Sequence, residues 1–83
     1  MIRVAVAGAA GKVGREVARA VLEEPDLQLV GGLGRRSAGR DLGEAIGAGS
    51  LGIPIDRDLR RLLARTPVDV LVDFTEAQAA LEH

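Results

Sequence analysis

Apolar residues change their spacing several times along the chain, and each change marks an element. Residues 2–7, IRVAVA, form a short β-branched run ending in a glycine turn, as a buried strand does. From Gly11 to Glu24 the spacing becomes helical. Val13, Val17, Ala20 and Val21 fall on one face, with Arg15, Arg19 and Glu23 on the other. Pro25 stops that helix, and LQLVGGL (27–33) reads as a second strand. Residues 1–33 therefore predict one βαβ unit with parallel strands and a right-handed crossover.

The pattern then loosens. Gly34 to Gly52 holds six of the eleven glycines and reads as a long irregular loop, with one helical turn around Asp41 to Ile46. IPI (53–55) is a short strand cut by Pro54, which puts it at a sheet edge. Asp58 to Arg65 predicts a helix with Leu59, Leu62 and Leu63 inward, arginines outward and Asp56 as its N-cap. VDVLVDF (68–74) is the strongest strand after the first. Thr75 is read as the cap of a last helix with Ala77, Ala80 and Leu81 on its inner face. The order β-α-β-loop-β-α-β-α is one side of a doubly wound α/β sheet, with about four parallel strands and flanking helices.

Composition narrows the chemistry. Eighty-three residues make one small domain. A net charge of −1 and a single aromatic, Phe74, exclude the basic, aromatic-studded surface of a nucleic-acid binder. With no cysteine there is neither a disulfide framework nor a thiolate metal site, an absence that fits any compartment and most simply a reducing cytoplasm. The apolar start MIRVAVAGAAG is too short, and too soon bounded by Arg3, Lys12 and Arg15, for a signal peptide or a membrane span.

Two glycine motifs compete. GAGSLG (47–52) fits G-x-G-x-x-G but follows no strand and opens no helix, so its amides have no helix dipole behind them. It is read as a flexible loop. GAAGKVG (8–14), spaced G-x-x-G-x-x-G, leaves a strand and starts an amphipathic helix. There Gly8 permits a tight turn, Gly11 lets backbone approach a pyrophosphate, and Gly14 lets helix and strand pack closely. Taken alone, this turn implies a mononucleotide or a dinucleotide.

Together, VAVAGAAGKVGREV, GRDLGEAIGAGSLGIPI and VDVLVDFT resemble the amino-terminal, Rossmann-like half of the dihydrodipicolinate reductases of lysine and diaminopimelate synthesis. The first motif is shared by many dehydrogenases, whereas the glycine-spaced loop followed by D-F-T is more specific. The resemblance implies that Gly8, Ala9, Ala10, Gly11, Lys12 and Val13 surround the pyrophosphate of NADPH or NADH. Gly34 falls where some members carry a glutamate for the adenosine ribose. Arg35 falls at a basic position able to meet a 2′-phosphate. Asp73, Phe74 and Thr75 match the strand end beside the nicotinamide half. Ala77 and Gln78 replace the family's usual Pro-Glu pair, and Val13 stands where methionine is common.

The family's catalytic and substrate segments all lie beyond residue 83. The resemblance thus makes residues 1–83 the cofactor-binding part of a longer two-domain reductase acting on a cyclic dicarboxylate, and the chain alone is expected to catalyse nothing. No catalytic or metal-ligating residue is assigned within it, and His83 is its only histidine. A carboxylate at position 34 would hold ribose hydroxyls and repel a 2′-phosphate. Gly34 removes both effects, and Arg35 and Arg36 supply planar, permanent cations. The expectation is a site that prefers NADPH or accepts both cofactors. Two alternatives remain: another dehydrogenase with the same turn, disfavoured by the loop spacing and D-F-T, and a nucleotide-binding module without catalysis, either stand-alone or self-associating through the unpaired edge of the last strand.

Overall fold

The computed structural model describes residues 1–74. Four strands, β1 (Ile2–Ala7), β2 (Leu27–Leu33), β3 (Ile55–Asp56) and β4 (Val70–Asp73), form one parallel sheet in the order β3-β2-β1-β4. Three helices accompany it: α1 (Lys12–Glu23), α2 (Leu42–Ala45) and α3 (Leu59–Arg65). The expected α/β architecture is present, and β3 holds the edge that Pro54 implied. The helix predicted after Thr75 lies outside the described residues.

Helix α1 buries a different stripe from the predicted one. Gly14, Ala18 and Val21 are buried, Val13 and Val17 are half-buried, and Ala20 is exposed. The cause is distance. A Cβ on Gly14 would land on the carbonyl oxygen of Gly8, so the helix lies against the turn through its smallest residues. Val13 and Val17 flank that contact. Beneath α1, a register shift between Val4 and Ala5 leaves Val30 of β2 unpaired with β1, and both Leu29 and Val30 are buried. After this bulge Gly31 faces Leu62 of α3, while Gly32 faces Leu42 and Ala9 on the opposite side.

Residues 34–52 form the irregular connection expected, with its one helical turn present as α2, but the segment is packed into the domain and does not form the flexible loop expected of GAGSLG. Leu42 and Ile46 are completely buried in the main core with Val6, Ala18 and Ile55. The Asp41 carboxylate holds the segment by accepting from the backbone N–H groups of Glu44 (3.0 Å), Leu51 (3.0 Å), Gly52 (2.8 Å) and Ile53 (3.2 Å). It is at once the N-cap of α2 and the centre about which GAGSLG wraps. The amides of that motif are thus turned on an internal carboxylate. These bonds, the one from Leu51 above all, hold the Asp41 carboxyl below its ordinary value.

Two details of α3 also differ from expectation. Its N-cap is Asp58, which accepts from the Arg61 N–H at 2.9 Å. Asp56 belongs to β3 and pairs with Arg65 at 2.8 Å. Of the three leucines expected inward, only Leu62 is buried, whereas Leu59 and Leu63 are 40% and 51% exposed. One helix seated over β2 and β3 can turn only one narrow face to the sheet. At the other edge β4 is anchored by Asp69, whose carboxylate accepts from the Arg3 backbone N–H (2.8 Å), Nε (3.0 Å) and a terminal guanidinium nitrogen (3.1 Å).

Candidate functional site

Every strand of the sheet is parallel, so all carboxyl ends lie at one rim, and the chain reverses its direction of build between β1 and β4. Ligands of doubly wound sheets bind at such a switch point. A cavity of about 920 Å³ lies there, touched by Ala7, Leu33 and Asp73, the last residues of β1, β2 and β4.

One end of the cavity is the glycine turn. Gly8 has φ 76°, a conformation that only glycine adopts without strain, and its carbonyl accepts from the Gly11 N–H at 3.0 Å. Gly11 is the N-cap of α1 and offers no side chain to the helix start, nor is there an acidic residue in the first turn. The other two helices are capped by their own aspartates, Asp41 and Asp58. The positive end of α1, the longest described helix, thus has no capping carboxylate among the described residues, and it faces the cavity.

The other end is basic. Gly34, Arg35 and Arg36 leave β2, and the turn that follows adds Ser37 and Arg40. Arg57 and Leu59 come from the β3–α3 junction, and Leu71 from β4. Arg35, Arg36, Arg40 and Arg57 are all exposed and pair with no carboxylate among the described residues, unlike Arg3, Arg61 and Arg65. Backbone bonds hold the wall in place: Gly34 N–H to Asp56 O (3.1 Å), Gly39 N–H to Ile55 O (2.9 Å) and Ile55 N–H to Arg40 O (2.9 Å). Ser37 is the one buried polar side chain among the described residues, and a Cβ on Gly34 would fall on its Oγ.

Of the residues singled out in the sequence, Gly8, Ala10, Gly11, Gly34, Arg35, Arg36 and Asp73 line this one cavity. Ala9 is fully buried, its side chain in the core, and Val13 is half-buried beside the turn. Lys12 is exposed at the start of α1. Phe74 packs against the core next to the β4 end, and Thr75 lies outside the described residues. Ser37, Arg40, Arg57, Leu59 and Leu71 were missed. Arg57 was findable, because it directly follows a strand and strand ends meet at the site. Arg40 had no local signal; it reaches the wall only because its segment folds back on β3. No group of three or more His, Asp or Glu among the described residues could hold a metal ion, and no helix there is long and apolar enough to cross a membrane.

The parallel order β3-β2-β1-β4, with a glycine turn between β1 and α1 at the switch point, defines a Rossmann-type domain. Residues 2–83 match the model of the family described as dihydrodipicolinate reductase, N-terminus, and the chain belongs to that family, the nicotinamide-dinucleotide-binding part of those enzymes. It is similar to the 4-hydroxy-tetrahydrodipicolinate reductases of Methanothermobacter thermautotrophicus (49% identical over 87 residues, 99% of this chain and 32% of that enzyme). The enzyme of Desulfitobacterium hafniense is 47% identical over 83 residues, covering 99% of this chain and 31% of that protein. That of Rubrobacter xylanophilus is 46% identical over 86 residues, covering all of this chain and 31% of its own length. The chain thus spans about a third of the length of these relatives.

Proposed function

We propose that residues 1–83 form the cofactor-binding domain of a two-domain 4-hydroxy-tetrahydrodipicolinate reductase of the cytoplasm, and that the domain binds NADPH in preference to NADH. The observation that carries this reading is the pairing of an uncapped helix start with four arginines, unpaired among the described residues, in one cavity. A dinucleotide has negative charge at both places: the pyrophosphate and, in NADPH, the ribose 2′-phosphate. The glycine turn passes the steric test as well. A side chain at Gly14 would strike the Gly8 carbonyl, and one at Gly8 would need a strained φ.

In this reading Gly8, Ala9, Ala10, Gly11, Lys12 and Val13 surround the pyrophosphate, largely through backbone N–H groups. Arg35 and Arg36 take the 2′-phosphate with planar, bidentate donors. Gly34 withholds the carboxylate that would repel that phosphate. Phe74 and Thr75 border the nicotinamide half. When bound, the nicotinamide supplies a hydride to a cyclic dicarboxylate. This chain's residues orient the cofactor, and the substrate contacts and proton donor belong to the remainder of the enzyme. Calorimetric titration with NADPH and NADH tests the reading. Tighter NADPH binding that weakens in Arg35→Ala is the expected result, and equal affinity for both cofactors would refute the preference.

One observation favours a second reading, self-association through β4: Val70 and Leu71 of this edge strand are 43% and 36% exposed. Light scattering after size exclusion decides it, because a monomer at high concentration rules it out.

A further inference from the structure

The cavity holds more cationic charge than Arg35 and Arg36 supply. The whole chain carries 11 basic and 12 acidic residues, so an excess of arginine at one wall is not a consequence of composition. Among the residues lining the cavity, four are arginines and one, Asp73, is a carboxylate. Two of the four arrive from outside the β2 end.

The backbone fixes where they arrive. In the parallel register Leu33 of β2 pairs with Asp56 of β3, and one residue on, the Gly34 N–H donates to the Asp56 carbonyl at 3.1 Å. Arg57 therefore stands beside Gly34, at the position where a strand pair would continue. Asp56 is held in turn by Arg65, at 2.8 Å. Arg40 is pinned separately: its N–H donates to Ser37 O (3.1 Å) and its carbonyl accepts from the Ile55 N–H (2.9 Å). Exposed arginines on fixed backbone lose less freedom on gripping an anion than arginines on a loose loop would. Gly34 has no side chain to occupy the space next to Arg57, and an acid there would have neutralised it.

We infer that Arg57, assisted by Arg40, is a further specificity-determining residue of this site, reading the ribose 2′-phosphate of the dinucleotide from the β3 side of the cavity. The inference rests on the cofactor reading above. A phosphate dianion presents three terminal oxygens, enough for guanidinium groups from both the β2 and β3 ends. Adenine stacking on Arg57 is the competing role, and it would make no distinction between phosphorylated and unphosphorylated ribose.

The test is a calorimetric titration of the whole protein with adenosine 2′,5′-bisphosphate and, separately, with ADP. In Arg57→Ala, affinity for the bisphosphate falls about tenfold or more, with ADP binding changed less than about threefold. Arg40→Ala shows the same selectivity with a smaller loss, and Arg57→Lys recovers part of the affinity because it restores charge without the planar fork. Thermal unfolding of each variant at the parent's temperature excludes a folding defect. Parent-like bisphosphate affinity in Arg57→Ala overturns the inference but leaves the cofactor reading intact, and so does an equal loss for both ligands. A parent protein that binds neither ligand overturns both.

Discussion

A methyl group on Gly14 would land on the carbonyl oxygen of Gly8, so the first turn of α1 packs directly against the backbone of the turn that leaves β1. That contact seats the start of α1 at the cavity. Gly14→Ala must push backbone from backbone, with no flexible side chain to yield. Overpacking of this kind costs about 1–3 kcal/mol. Thermal unfolding should show a clearly lower Tm, and calorimetry should show loss of dinucleotide binding. Gly31→Ala makes a fair comparison, because its new methyl meets the Leu62 side chain, which can move. An unchanged Tm in Gly14→Ala would mean that the close approach does not matter.

The same contact explains what the sequence pattern could and could not reveal. Strands β1 and β4 are short, β-branched apolar runs broken only by Arg3 and closed by Asp73, and the glycine turn announces itself by standing between a strand and an amphipathic helix. The inner face of α1 was misjudged because hydrophobic periodicity weights Val13 and Val17 above Gly14, whereas close packing selects the smallest residues. Residues 34–52 looked irregular for a related reason. Their order comes from four backbone N–H groups converging on Asp41 and from two isolated apolar residues, Leu42 and Ile46, and neither leaves a periodic trace. The cap of α3 was displaced by two positions because Asp56 and Asp58 are equally good capping residues and only the length of β3 decides between them. At the cavity, residues next to the glycine turn and the β2 end were legible. Those delivered by the return of the 34–52 segment, such as Arg40, were not.

Asp41 is a sharper test of that segment. Its carboxylate accepts four backbone bonds, whereas the Asp58 cap of α3 accepts one from a backbone N–H. Removing an ordinary cap such as Asp58 costs about 1 kcal/mol. Asp41→Ala should lower Tm well beyond Asp58→Ala and expose the amides of Leu51, Gly52 and Ile53 to hydrogen exchange. Equal effects of the two substitutions would show that the wrap around Asp41 is not what holds residues 47–52.

Acid sensitivity should follow from the two held carboxylates. Arg3 holds Asp69 at about 2, below the ordinary 3.8, chiefly through side-chain and backbone hydrogen bonds. Asp41 is also lowered, by its backbone bonds. A carboxyl whose folded pKa is depressed contributes stability that is fully present above its unfolded value. That contribution is lost as pH falls through the folded value. Stability should therefore be flat above about pH 4 and fall between there and pH 2. Melts of Asp69→Asn across pH 2–6 should show a shallower acid limb than the parent. Raised salt should reduce the Asp69 contribution, because the Arg3 pair is solvent-exposed. A parent-like acid limb in both Asp69→Asn and Asp41→Asn would remove these groups from the account.

Leu62 and Leu63 are neighbours in α3 with opposite fates: the first is completely buried against Gly31, the second 51% exposed. Leu62→Ala should cost about 2–5 kcal/mol in denaturant unfolding, as other buried leucines do. Leu63→Ala should stay within about 0.5 kcal/mol. Similar costs for both would mean that Leu63 is covered in the whole protein by something other than the described residues.

The proposed preference for NADPH offers the last prediction. Placing the missing acid at position 34 is the obvious way to turn the site toward NADH, since a carboxylate there can hold ribose hydroxyls and repel a 2′-phosphate. The local packing resists it, because the first carbon of any side chain at Gly34 falls on the Oγ of buried Ser37. Gly34→Glu alone should therefore lose NADPH affinity about tenfold or more by charge repulsion yet gain little for NADH, since the acid is misplaced. Adding Ser37→Ala frees the space and should recover Tm while raising NADH affinity relative to the single variant. Competition between the two cofactors, followed by fluorescence or calorimetry on the three variants, measures this directly. If Gly34→Glu by itself binds NADH as tightly as the double variant, Ser37 does not constrain the site, and the preference rests on the arginines alone.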